Sequence, residues 1–400
     1  ALESSETQHP RCRLSSIVGV GIVARSRLGR FRRFQCVYVL RKHREEQSIM
    51  WRWLVVFAGM CLPAVAQADE AIRSFDLSPY TIQKVRVARA QGRSYIVASS
   101  YEGTVLAVDF DGRVLWKQPL SGYMNFDVYC RDIDGDANDE IFLANADGAV
   151  YCVDHAGRVL WRFPGQGPPM VSVCVVKAAS GKPIIAAGGF DKNLYLLDPT
   201  TKKYRTIPSS SYSQEKTWGK GPKRVPPSGE HSINYVRPVQ LNDGSELLAV
   251  HGIVYSLSGG GSLYFFKPEE DKPCKIVRLP AGRPFGDFRA RDLDGDGDDE
   301  ILAGTTTLTE AVCAVVSPDS ESADAIDIYA HDDWRKQLDG NGYRVLQTEI
   351  VETPGTRRLA VLLGSRLLLL DPQHPNEGKA EVLPCRYSFY DIWADRESGK

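Results

Sequence analysis

The 400-residue sequence contains no Cys-x-x-Cys, no His-Glu-x-x-His, no Gly-x-Ser-x-Gly and no phosphate-binding glycine loop. These absences argue against zinc knuckles, thioredoxin-type redox sites, helix-borne zinc proteases, nucleophile elbows and nucleotide-phosphate cradles. They leave other enzyme classes open. A strong charge of one sign is missing too. The formal net charge is −1, and residues 69–400 carry 38 Lys and Arg against 46 Asp and Glu, a net of −8. Nucleic-acid binders draw their affinity from neutralising phosphates, so an acidic body makes nucleic acid an unexpected partner. The apolar run Leu54–Val65 is too short to cross a bilayer.

That run has the layout of an export signal instead. Met50-Trp51-Arg52-Trp53 forms a short positive region, Leu54–Val65 the apolar core, and Ala66-Gln67-Ala68 a small-x-small cleavage site. The expected organisation is a leader or mis-assigned start over 1–49, a signal peptide over 50–68 and a folded body over 69–400. No membrane span remains after cleavage. A periplasmic or extracellular location, envelope-associated or free, is oxidising and permits disulfides. Six cysteines remain in the body: Cys130, Cys152, Cys174, Cys274, Cys313 and Cys385. Most fall in apolar strand-like runs, where a reduced, buried thiol is expected.

What the body does have is self-similarity. YIVASSYEGTVLAVD (95–109) matches IFLANADGAVYCVD (141–154), and each continues into Gly-Arg-Val-Leu-Trp, ending at Trp116 and Trp161. Both the Asp109–Asp154 and the Trp116–Trp161 spacings are 45 residues. A third copy, IIAAGGFDKNLYLLD (184–198), follows 44 further on, and looser copies begin at Leu247, Ile301 and Leu359. Each unit holds short apolar strands punctuated by Gly- and Asp-bearing turns, the pattern of an all-β fold. One such sheet cannot bury both faces alone, whereas stacking around an axis gives every sheet two neighbours. The expected fold is therefore all-β, a β-propeller of four-stranded antiparallel blades. Seven blades are expected: six visible, and the opening of a seventh at Tyr390–Lys400, where the chain reads as truncated. The rival closure uses the segment near 75–90. A β-sandwich would not need the long repeated unit.

The segments ending at Trp116 and Trp161 resemble the PQQ-like (pyrroloquinoline-quinone enzyme type) propeller repeat, in which the tryptophan docks one blade on the next. The resemblance is good in two blades, partial in a third and faint beyond residue 240. It implies fold more than activity. Quinone enzymes of that type carry a vicinal disulfide over the cofactor, and no two cysteines here are adjacent. No PQQ is expected, and a quinone-dependent dehydrogenase is the least favoured reading.

The motif with chemistry occurs twice: DIDGDANDE (132–140) and DLDGDGDDE (292–300), each just before an apolar strand. Acids at alternate positions can wrap hard oxygens around one cation, with Gly135, Gly295 and Gly297 easing the tight turn. Without a cation, two carboxylates about 4 Å apart repel by roughly 4 kcal/mol at an effective dielectric of about 20. The pattern resembles the calcium loop of FG-GAP repeats, found in integrin α-chain propellers. The resemblance implies two Ca²⁺ sites. Asp132, Asp134, Asp136 and Glu140 would give side-chain oxygens and Asn138 its carbonyl at the first; Asp292, Asp294, Asp296, Glu300 and the Asp298 carbonyl would serve the second. Ala137 departs from the pattern's usual glycine. The corresponding stretch Gln240–Glu246 is shorter and lacks the acids, so no metal is expected there.

Both loops should join first and second strands and so share one face. The opposite face should carry an insertion over 205–236, whose Trp218, Lys220, Lys223, Arg224 and His231 form a candidate surface for an anionic protein or polysaccharide ligand. The leading functional expectation is a non-catalytic, calcium-braced binding or scaffolding module at the cell envelope. The alternative is a carbohydrate-active enzyme, a glycosidase or polysaccharide lyase. That reading needs paired carboxylates, for which Asp287, Asp332, Asp333 and Glu349 are free, though sequence alone does not bring them together. The histidines of the body are isolated and read as surface or packing residues.

Overall fold

The computed structural model describes residues 72–214, 230–253, 261–279, 283–306, 312–327, 345, 347–353, 356–363, 366–377, 380–384 and 388–394, with the backbone of 16–25 and 32–41. The described residues form strands and one 3-10 turn, Ser209–Ser211. Among them, no helix is long and apolar enough to cross a membrane.

Six consecutive four-stranded meanders make the blades. Blade one is Ile82–Ala90, Arg93–Ser100, Thr104–Val108 and Val114–Pro119; blade two is Asn125–Arg131, Glu140–Asn145, Ala149–Val153 and Val159–Pro164. Blade three is Met170–Lys177, Pro183–Gly189, Asn193–Leu197 and Tyr204–Pro208; blade four is Ser232–Gln240, Glu246–Ile253, Ser262–Phe266 and Lys275–Arg278. Blade five is Arg283–Arg291, Glu300–Thr306, Val312–Val316 and Asp324–Asp327; blade six is Gln347–Thr353, Thr356–Leu362, Arg366–Leu370 and Glu381–Pro384. A further four-stranded sheet combines Ser388–Ala394 with Ser16–Arg25, Arg32–Arg41 and Ile72–Asp76. The first strands of the six blades follow one another in a ring, and Ser388–Ala394 packs against those of blades six and one. The strands at 16–25 and 32–41 fall in the stretch assigned above to a leader; the signal segment 50–68 lies outside the described residues.

Repeated sequence gives repeated register. Ala107 pairs with Trp116 and Cys152 with Trp161, each with a bulge at the next residue. Because both faces of every inner sheet are covered, the strands read as nearly unbroken apolar runs rather than as strict alternation. The core is accordingly divided into layers between blades. Val97 and Ala107 of blade one meet Ile141 and Val153 of blade two, and Phe142 and Cys152 meet Val173 and Tyr195 of blade three. The series continues around the axis to Ile392, which packs on Leu362 and Leu367 of blade six. Trp116 shows how one blade grips the next: its indole N–H donates to the His155 carbonyl at 2.8 Å. Its ring lies so close to Gly157 (φ +84°) that a Cβ there would fall 2.8 Å from it. Only glycine fits that turn.

Candidate functional site

The first strands carry the polar groups. Arg86, Asp127, Ser172, Arg237, Asp287, Arg289, Glu349 and Asp391 are all buried, one or two from each strand of the ring. They form one ionic network around the axis. Arg86 pairs with Asp287 at 2.7 Å, Asp391 at 2.9 Å and Asp127 at 3.3 Å. Arg237 joins Asp127 at 2.8 Å and also contacts Asp287. Arg289 lies 2.8 Å from Asp287 and 3.3 Å from Asp391, while Arg291 holds Glu349 at 2.6 and 3.0 Å. Burial alone would push the Asp287 carboxyl up, but Arg237, Lys84, Arg289 and Arg86 outweigh it and hold it well below the usual range. Asp127 and Asp391 also accept backbone N–H groups of neighbouring strands, from Val173 at 3.1 Å and Val85 at 2.9 Å. The network thus sets the spacing of the ring.

A cavity of about 210 Å3 opens over this network, lined by Arg86, Arg131, Arg237, Arg289 and Arg291 with Trp393, and with Glu246 and Asp299 at its side. The guanidinium groups of Arg86, Arg289 and Arg291 lie 4.6, 4.6 and 4.9 Å from the Trp393 ring centroid. Arg131 and Arg291 are the most accessible of the five, and the Arg289 Nε lies 3.5 Å from Glu349. The arrangement is a concave, arginine-rich mouth suited to anionic groups.

The mouth lies on the face of the acidic loops, not on the face expected to bind ligand. Residues 132–139 and 292–299 join the first and second strands of blades two and five. In the first loop the carboxylates of Asp132, Asp134 and Asp136 converge within 4.8 Å; in the second, those of Asp292, Asp294 and Glu300 do. Asp132 accepts N–H groups of Gly135 at 2.7 Å and Ala137 at 3.0 Å, and Asp292 that of Gly295 at 2.6 Å. Asp136 and Asp296 turn toward the N–H groups of Asn138 and Asp298, at 2.7 and 2.8 Å. Glu140 and Glu300 reach back to the N–H groups of Ile133 and Leu293, at 3.1 and 2.7 Å. Burial, and then the neighbouring aspartates, push both glutamates up to about 7.

The loops have a second role that sequence reasoning missed. Asp139 accepts from the Arg89 N–H at 2.7 Å and Asn138 from Gln91 at 2.8 Å, clipping blade two to blade one. Asp299 and Asp298 repeat this on Gln240 and Asn242, at 3.2 and 2.6 Å, clipping blade five to blade four.

Of the proposed ligand face, Trp218, Lys220, Lys223 and Arg224 lie outside the described residues. His231 is a correction. It is buried, stacked on Tyr264 at 5.1 Å and bonded to Ser213 at 2.9 Å, and burial holds its imidazole down at about 3. It packs the interior. The ends of the 205–236 insertion are themselves blade strands. Asp287 and Glu349 are brought together on Arg289, while Asp332 and Asp333 lie outside the described residues. The five described cysteines are free thiols.

Residues 95–400 match the lambda-carrageenase β-propeller domain as a family. Two curated relatives are lambda-carrageenases, from Pseudoalteromonas sp. and Pseudoalteromonas carrageenovora. They are 41% and 40% identical over 343 residues, 86% of this chain and 36% of their own length. The chain therefore spans about a third of the curated relatives it matches. Among solved structures, a chain of BBS1N in complex with ARL6DN has a TM-score of 0.52 at 14% identity, covering 78% of this chain and 84% of that one. A chain of the mitotic checkpoint complex has 0.51 at 14%, covering 90% and 93%. At such identity the likeness shows the fold alone. Kinship to carrageenases overturns the expectation of a non-catalytic scaffold and favours the carbohydrate-active alternative. The chain belongs to the lambda-carrageenase β-propeller family.

Proposed function

We propose that the chain is the propeller part of an enzyme that cleaves a lambda-carrageenan-class polymer, a sulfated galactan, and that the axial mouth holds the anionic chain. The observation that carries this reading is the 41% identity to a lambda-carrageenase over 343 residues. The arginine lining supports it, since guanidinium forks match the planar, multidentate oxygens of sulfate esters. Glycosidic cleavage also needs a proton donor. Asp287 does not suit that role, because four cations hold it ionised, so the mouth is assigned to binding and not to bond breaking. Export suits an enzyme whose polymeric substrate is too large to enter a cell.

Calcium belongs to the same reading. Three hard carboxylates converge in each acidic loop, a donor set that fits Ca²⁺. A bound ion would relieve their mutual repulsion and stiffen the clips to blades one and four. The sheet of Ser388–Ala394 would act as the seventh blade that closes the ring.

The test is the Kd for lambda-carrageenan, with reducing-end release followed alongside, for the full chain and for Arg291→Ala and Arg131→Ala. Each variant should raise Kd about tenfold, as expected for lost charge-assisted contacts. Unchanged Kd in both would remove the mouth from substrate binding. No release and no binding by the unmodified chain would overturn the carrageenan reading itself.

A further inference from the structure

The outer rim holds a second concave feature, far from the inner strands. Between blades two and three lies a groove of about 300 Å3, flanked by Trp161, Phe163, Tyr204 and Lys202. Its origin is a local change in the repeat. Where blade two offers Gly157 to Trp116, the blade-three turn Asp-Pro-Thr-Thr-Lys (198–202) is one residue longer and puts Lys202 (φ 59°) in the glycine's place, its N–H donating to the Asp198 carbonyl as that of Gly157 does to Asp154. Trp161 therefore cannot seat as Trp116 does. The Lys202 ammonium sits 4.8 Å from its ring centroid instead, and the indole N–H of Trp161 has no partner among the described residues.

Tyr204 occupies the tryptophan's place in blade three and is 57% exposed. Its ring is nonetheless held: it stands edge-on to Phe163 at 4.9 Å, which in turn meets Tyr195 at 5.4 Å. An exposed aromatic fixed by its neighbours loses little entropy on binding. Asp198 does not cancel the charge of Lys202, because it is taken by Lys182 at 2.6 Å; Arg162 is likewise engaged by Asp147 at 3.0 Å. What the groove presents is an exposed but held ring, an indole with no hydrogen-bond partner among the described residues, and an ammonium that also donates to the Pro199 carbonyl.

We propose that this groove is a second binding position for a sulfated galactan: Tyr204 stacks on the C–H face of a sugar, Trp161 donates to an oxygen, and Lys202 pairs with a sulfate ester. The inference rests on the carrageenan reading for its ligand, and it adds a site on the rim that grips long chains while the axial mouth holds another stretch of the same polymer.

The test is affinity electrophoresis of the full chain through gels containing lambda-carrageenan, with agarose as the uncharged galactan. Tyr204→Ala and Lys202→Glu are compared with the unmodified chain. Both residues are exposed, so unchanged melting temperatures should accompany the variants. Each should weaken retention about fivefold, lower turnover of the polymer and leave turnover of short oligosaccharides unchanged. Retention equal to that of the unmodified chain would overturn the rim site alone. Equal retention by agarose would overturn its sulfate pairing. Failure of the unmodified chain to bind would overturn both this site and the carrageenan reading.

Discussion

Replacing Asp287 by Asn tests whether the axial network is a desolvated unit. Asp287 is buried and faces Lys84 at 3.4 Å, Arg86 at 2.7 Å, Arg289 at 2.8 Å and Arg237 in close contact. The amide keeps the shape and removes the charge, stranding cations that have no water to turn to. Breaking a buried ion pair by removing one partner costs about 3–5 kcal/mol. For a chain of this size that corresponds to a fall in melting temperature of roughly 5 °C. The carboxyl is held well below its unfolded value, so its contribution is complete above about pH 4 and is lost only as pH falls through the folded value. The difference between the two proteins should therefore stay constant from about pH 5 to about pH 8, shrinking only in strong acid. Thermal unfolding followed by circular dichroism measures it. A loss under about 1 kcal/mol, or one that halves between about 0.05 and about 0.5 M salt, would mean that solvent screens the cluster. The ring would then be held by its apolar layers alone.

Four further outcomes follow from the loops and from His231. Calcium should stabilise the fold by about 2.7 kcal/mol per site at a hundredfold excess over Kd and so raise the melting temperature; Asp134→Ala and Asp294→Ala should each remove part of the gain, and no shift in the unmodified chain would refute bracing by calcium. Ala137 sits at φ 65°, where a side chain costs about 1–2 kcal/mol, so Ala137→Gly should be neutral or stabilise by up to about 1 kcal/mol. Gly297→Ala should destabilise, because φ is +98° and a Cβ would lie 3.1 Å from that of Asn242; denaturant midpoints that move the other way would refute the strain. His231 is held down at about 3, so below about pH 6.5 the unfolded chain takes up a proton that the folded one refuses, and stability falls by up to about 1.4 kcal/mol per pH unit. His231→Gln should flatten that slope; an unchanged slope would place the titrating group elsewhere.

The blades were legible in the residues alone. The 45-residue spacing, the Asp-x-x-Gly turns and Trp116 and Trp161 are local, repeated features, and the physics that makes each strand and turn acts over a few residues. The acidic loops were legible for the same reason, since their acids lie within nine positions of one another. The axial network was not, although its trace was present: charged residues such as Arg86, Asp127, Arg237, Asp287 and Asp391 within first strands that also carry apolar core positions. Nothing local says that these charges, as far apart as Arg86 and Asp391, meet on one axis. The rim groove depended on a comparison between blades, with Lys202 standing where a glycine would have let Trp161 close the gap. That the arginines share a mouth on the face of the acidic loops, and that His231 is interior, emerged only from the folded ring. A residue's partners across a ring are fixed by closure of the whole propeller, which no single repeat encodes.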